Sequence, residues 1–140
     1  MSIAMILLPV FVLVLMTFTL MVLMARSRIG ALKRGEVKMA DVALGQSNWP
    51  PRSQQISNCY HNQFQLPVLF YVLVVLAIIT RHADYLFVAL GWVFVLARIA
   101  HAYVHCTTNY VRHRFNAFLV GALVLLVMWI IFAVQILAGV

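Results

Sequence analysis

The chain is short of charge, and shorter still of acid. Of its 140 residues 9% are charged, and only Glu36, Asp41 and Asp84 carry a carboxylate. A soluble domain is about 25% charged and about 45–50% apolar. Here the residues AVILMFWYC make up 65% and the mean hydropathy is +1.01, so no fold of this length can hide its apolar side chains from water. A soluble globular domain is excluded, and the bilayer is the expected solvent. Cysteine is scarce as well: Cys59 and Cys106 make no disulfide framework, and both are expected near the cytoplasmic side, where thiols stay reduced. The sequence also lacks an internal repeat, a low-complexity tract, a GxxxG helix-pairing motif and any sign of a second domain, so residues 1–140 read as one unit.

Four long apolar runs remain, Ile3 to Ala25, Tyr60 to Ile79, Tyr85 to Val104 and Phe115 to Ala138. At 1.5 Å per residue, about 20 residues cross a hydrocarbon core of roughly 30 Å. The expected fold class is therefore all-α, an integral membrane four-helix bundle, with helices near 3–25, 53–79, 85–110 and 115–138. The second helix is extended back to residue 53 because Pro51, after Trp49-Pro50, suits the first position of a helix. The first run is too long for a signal-peptide core and is followed by Arg26 and Arg28 rather than a small-residue cleavage site, so it is expected to be retained.

Basic residues fix the expected topology. Arg26, Arg28, Lys33, Arg34, Lys38 and Arg52 occupy the first connection, and Arg112 and Arg114 lie in a turn expected at Val111-Arg112-His113-Arg114. Arg81 alone sits in the other turn, Arg81-His82-Ala83-Asp84. The positive-inside bias places the first two sets in the cytoplasm and both termini outside. The formal net charge of +7 suits anionic lipid head groups or a small anionic ligand. It does not indicate nucleic acid, because the basic residues are divided among short loops rather than gathered on one wet face.

Polar residues inside the runs require a reason, since a charge at mid-membrane costs about 2.5–3.5 kcal/mol on insertion scales. Arg98 lies about 20 Å from the outer end of helix three at helical rise, with no carboxylate in any span to pair with it. His101 and His105 follow at i+3 and i+7 on the same face. Asn58, Asn62 and Gln65 form a second stripe on helix two at i, i+4 and i+7, with His61 alongside and at nearly the same depth. Facing stripes would enclose a polar pocket in the cytoplasmic third of the membrane, closed by Arg114 and Arg112 from the turn. Three readings stay open for these residues: interhelical hydrogen bonding, an anionic ligand or lipid at Arg98, and a metal held by His101 and His105 with Cys59, His61 or Cys106 nearby. Arg26 to Lys38 read as a stretch in contact with head groups, with Arg26 or Arg28 a further candidate for the pocket.

The run Asn62-Gln63-Phe64-Gln65-Leu66-Pro67 opening helix two, the run Arg98-Ile99-Ala100-His101 in helix three, the four spans and the long first loop together resemble the MAPEG superfamily, the membrane-associated proteins in eicosanoid and glutathione metabolism. The resemblance covers nearly the whole chain. It implies a homotrimer with glutathione bound between neighbouring subunits toward the cytoplasm. The family's Asn-x-x-Glu falls on Asn62 and Gln65, its Arg-x-x-His on Arg98 and His101, and its thiolate-stabilising arginine on Arg114. Three positions depart from the family pattern. Gln65 replaces the glutamate, Asn58 stands where many members have arginine, and His105 occupies a position that can be tyrosine.

What the resemblance implies is a glutathione-dependent, or other anionic-thiol-dependent, transferase or peroxidase acting on hydrophobic or lipid substrates. Arg114 and His105 would be its catalytic residues, and Asn58, Asn62, Gln65, Arg98 and His101 would hold the peptide. The alternative is a non-catalytic lipid- or ligand-binding membrane protein using the same groove. Short loops and the lack of a retrieval signal favour a bacterial inner membrane over endoplasmic reticulum.

Overall fold

A computed structural model describes residues 1–46 and 48–140. Its first helix, α1 (Ile3–Lys33), starts at Ser2, whose hydroxyl accepts the Met5 N–H at 3.3 Å. It runs eight residues beyond the expected end at residue 25. The basic stretch that follows is rich in helix formers (Arg, Ala, Leu, Lys) that carry the helix through Gly30, and it stops only where Gly35 turns left-handed at φ 72°. Gly35 N–H then bonds the Leu32 carbonyl at 3.2 Å and Glu36 N–H bonds that of Ala31 at 3.1 Å, a Schellman closure. Arg34 beside Glu36, at 2.9 Å, holds that carboxyl below its ordinary range. The first connection is correspondingly shorter, and it contains one helical turn, α2 (Met39–Val42).

The second span is broken. Pro51 opens α3 (Pro51–Asn62) at the first helical position, but the continuous helix expected over 53–79 divides into α3 and α4 (Leu66–Ile79). Pro67 is the cause. It has no N–H for the Gln63 carbonyl, and its ring would collide with that oxygen in an unbroken helix. Gln63, Phe64 and Gln65 instead bond back three residues, to Tyr60, His61 and Asn62, at 3.0, 3.1 and 3.2 Å.

The remaining helices also differ from expectation at their shared turn. α5 (Tyr85–Cys106) starts at Asp84, whose carboxylate caps Phe87 N–H at 2.8 Å, and stops four residues before the expected residue 110. α6 (Val111–Ala138) begins four residues before the expected 115. The turn is thus Thr107 to Tyr110, and Arg112 and Arg114 lie in the first turn of α6 rather than between helices. Asn109 takes the left-handed conformation, φ 51°, which asparagine tolerates better than most residues with a Cβ.

α1, α3 with α4, α5 and α6 are each long and apolar enough to cross a membrane. Among the described residues there is no strand. Leu13, Phe70, Leu73, Val74, Phe94, Val95, Leu125 and Met128 form the core between them, with Phe70 and Phe94 stacked at 4.9 Å. α5 and α6 make the most extensive pair, and Gly121 brings α6 against Ala97 and the Phe94 ring. The 80–84 turn shares one end of the bundle with both termini, where His82 Nε2 lies 2.8 Å from the Val140 carbonyl. The other end carries the residue 34–50 connection, the 107–110 turn and eight of the ten basic residues.

Candidate functional site

The helix-two break shapes the site. At Asn62 the ladder of α3 ends, leaving carbonyl oxygens and the negative end of the helix dipole inside the bundle. Arg98, wholly buried on α5, points its guanidinium at that end, where Nη2 donates to the Asn62 side-chain oxygen and, at 3.4 Å, to the Asn62 backbone carbonyl. A helix terminus therefore takes the place of the missing carboxylate. Nε and Nη1 of Arg98 have no protein partner among the described residues. Asn62 is held on its other side as well, since its Nδ2 donates to Gln65 Oε1 at 3.0 Å.

Above this layer, toward the basic end, lies a pocket of about 500 Å³. α3 and the break contribute Asn58, His61, Asn62 and Gln65, and α5 contributes His101 and His105. α6 closes it with Val111, Arg114, Phe115 and Phe118. Asn58 is oriented by Gln54, whose Nε2 donates to its Oδ1 at 2.8 Å. The His101 and His105 rings stand 5.5 Å apart, edge to face, and the Nδ1 atoms of both are buried without a partner. The Arg114 guanidinium is fixed by Asn109, which accepts its Nη1–H at 2.7 Å.

α3 is clasped to the end of α5 in a way that keeps this pocket in shape. Gln55 Nε2 donates to the carbonyls of His105 at 2.8 Å and Thr107 at 3.0 Å, and Arg52 donates to that of Cys106. These are the orphan carbonyls of a helix C-terminus, satisfied from the neighbouring helix.

Electrostatically the pocket is one-sided. Its lining contains Arg114 and three histidines and no carboxylate. The first turn of α6 adds the positive end of its dipole, and Tyr110 supplies no side-chain cap to the free N–H groups there. Phe115 and Phe118 form an apolar wall beside these donors. Such a cavity can hold an anion with an apolar attachment, and it can favour negative charge developing on a bound atom near Arg114.

Of the residues singled out in the sequence, Asn58, Asn62, Gln65, His101, His105 and Arg114 come together around this one pocket. Arg98 does not line it; it lies beneath and acts on Asn62. Arg112 is also outside the lining. Arg28 bonds Ser57 on α3 at 2.8 Å and stacks on Trp49 at 4.8 Å, away from the cavity. Among the described residues no three of His, Cys, Asp and Glu gather as a metal site. Sequence reasoning missed the apolar wall of Val111, Phe115 and Phe118, which nothing distinguishes from lipid-facing residues in the run. It also missed Asn109, whose signal was an asparagine closing an apolar helix.

A family model described as the MAPEG family matches residues 6–134, nearly the whole chain. No curated protein and no solved structure matches it.

Proposed function

The chain belongs to the MAPEG family, and from that premise we propose that its pocket binds glutathione, or another anionic thiol, for transfer to or reduction of hydrophobic substrates that enter from the bilayer. The observation that carries this reading is Arg114, fixed by Asn109 at the rim of a pocket that contains no acid. A free thiol has a pKa near 8.5 and is mostly protonated at neutral pH, so a guanidinium beside the bound sulfur favours the nucleophilic thiolate. Asn62, Asn58 and Gln65 offer hydrogen bonds to a peptide's amide and carboxylate groups. His101 completes that wall, and His105 is placed to donate a proton to the product. The sulfur supplies the chemistry, while the protein supplies orientation and charge. A trimer, with the pocket completed by a neighbouring subunit and facing the cytoplasm, belongs to the same proposal.

A second reading rests on Gln65 and Asn58. Both side chains are already engaged within the protein, by Asn62 and Gln54, where the family pattern would place a glutamate and an arginine. That favours a non-catalytic protein holding a lipid or other anionic ligand in the same groove.

Turnover separates the two. The purified protein is expected to conjugate glutathione to hydrophobic electrophiles or to reduce organic hydroperoxides with it, and Arg114→Ala should lower the rate at least a hundredfold, about 2.7 kcal/mol of barrier. Ligand binding without turnover over a broad electrophile panel would leave the binding-protein reading in its place.

A further inference from the structure

Cys59 and Cys106 are the chain's two cysteines, 47 positions apart, and neither has a part in the pocket chemistry described above. The fold brings them together behind the pocket wall. Cys59, on α3, is fully buried, and its thiol donates to the Ala102 carbonyl at 3.6 Å. In a helix that carbonyl points along the axis toward the residue four positions on, which here is Cys106. Cys106 is only partly buried and packs on the cluster of Leu20, Cys59 and Ala102. The clasp from Arg52 to the Cys106 carbonyl and from Gln55 to the carbonyls on either side holds α3 and α5 in this register without any bond between the sulfurs.

We propose that Cys59 and Cys106 form a redox-active dithiol that closes to a disulfide on reaction with an organic hydroperoxide. Cys106 is the accessible member, at the basic end of α5, and takes the first step. Its sulfur attacks the terminal oxygen, the O–O bond breaks, and the hydroperoxide leaves as an alcohol carrying the thiol proton, so that Cys106 becomes a sulfenic acid. The Cys59 thiol then displaces that hydroxyl, forming the S–S bond and releasing water. Two thiols are oxidised and one peroxide is reduced, with no other reagent consumed. Cys59 is the resolving partner because burial withholds it from the peroxide and from bulky reagents. The bond ties α3 to α5 next to Asn58 and His105, so oxidation also fixes the width of the anion pocket.

The experiment treats the purified full chain in detergent with cumene hydroperoxide in the absence of glutathione, so that its outcome is independent of the thiol-transfer reading. After unfolding and N-ethylmaleimide treatment, the chain should be lighter by two hydrogen atoms and carry no maleimide. It should release one linked peptide pair containing Cys59 and Cys106, and dithiothreitol should restore both thiols. Cys59→Ser should stop at a Cys106 sulfenic acid that dimedone traps, and Cys106→Ser should leave Cys59 unreacted. The proposal is overturned if the wild-type chain, after peroxide, still takes up maleimide at both cysteines, if Cys106 is oxidised further while Cys59 stays a thiol, or if the links join different chains only.

Discussion

Asn62 shows what a buried arginine requires when the membrane spans contain no acid. It receives Arg98 on one side and donates to Gln65 on the other, so truncating it leaves a desolvated guanidinium without its side-chain partner. Asn62→Ala is expected to cost about 1.5–3 kcal/mol, as in the loss of a hydrogen bond to a buried charged group. Arg98→Leu should cost clearly less, because Asn62 keeps Gln65, and the double variant should fall well short of the sum. Denaturation of the detergent-solubilised variants measures all three. Asn109 carries a separable pair of roles, turn and anchor. Asn109→Ala should lose about 1–2 kcal/mol for a left-handed backbone, whereas Asn109→Gly should recover the turn but still release Arg114 and lower turnover. At this scale the polar half of the pocket was legible in the sequence, since Asn, Gln, His and Arg inside an apolar run are costly and therefore conspicuous. The apolar half was not, because Phe115 and Phe118 look like any residue that faces lipid.

Among the elements, the broken second span matters most. The hydrophobic pattern of residues 53–79 reads as one helix because a three-residue interruption leaves mean hydropathy untouched. Pro67 was visible within the polar run, but its effect falls on the carbonyl four residues earlier, and that is where the chain departs from expectation. The break supplies the helix end that faces Arg98. Replacing Pro67 with Ala should join α3 to α4, slow amide exchange across residues 63–66, and draw the Asn62 carbonyl into the ladder and away from Arg98. Thiol binding should weaken about tenfold in consequence, roughly 1.4 kcal/mol. Unchanged exchange at 63–66 would show that tertiary packing rather than Pro67 makes the break. Helix ends were the least legible feature elsewhere. α1 continues through basic residues that composition treats as loop, and the α5–α6 turn sits at Thr107 to Tyr110, where Asn109 takes a left-handed backbone that asparagine tolerates well.

For the whole molecule, class followed from composition, since a chain this poor in charge has no aqueous alternative, and span number from the four apolar runs. Charge distribution follows too: eight of the ten basic residues lie at one end of the bundle, and the pocket lined by Arg114 lies toward that same end. If the pocket is completed by neighbours, the protein in detergent should have a protein mass three times 15.8 kDa by light scattering. A mass of one chain with full thiol binding would dissociate the site from assembly. The decisive test of the anion pocket is thermal unfolding of the purified protein with and without glutathione, beside Arg114→Ala. A ligand at 100 times its dissociation constant adds about 2.7 kcal/mol to native stability. A saturable rise in midpoint for the wild type, lost in Arg114→Ala, is the expected result. No rise at millimolar glutathione, or an equal rise in both proteins, would contradict an Arg114-centred thiol site.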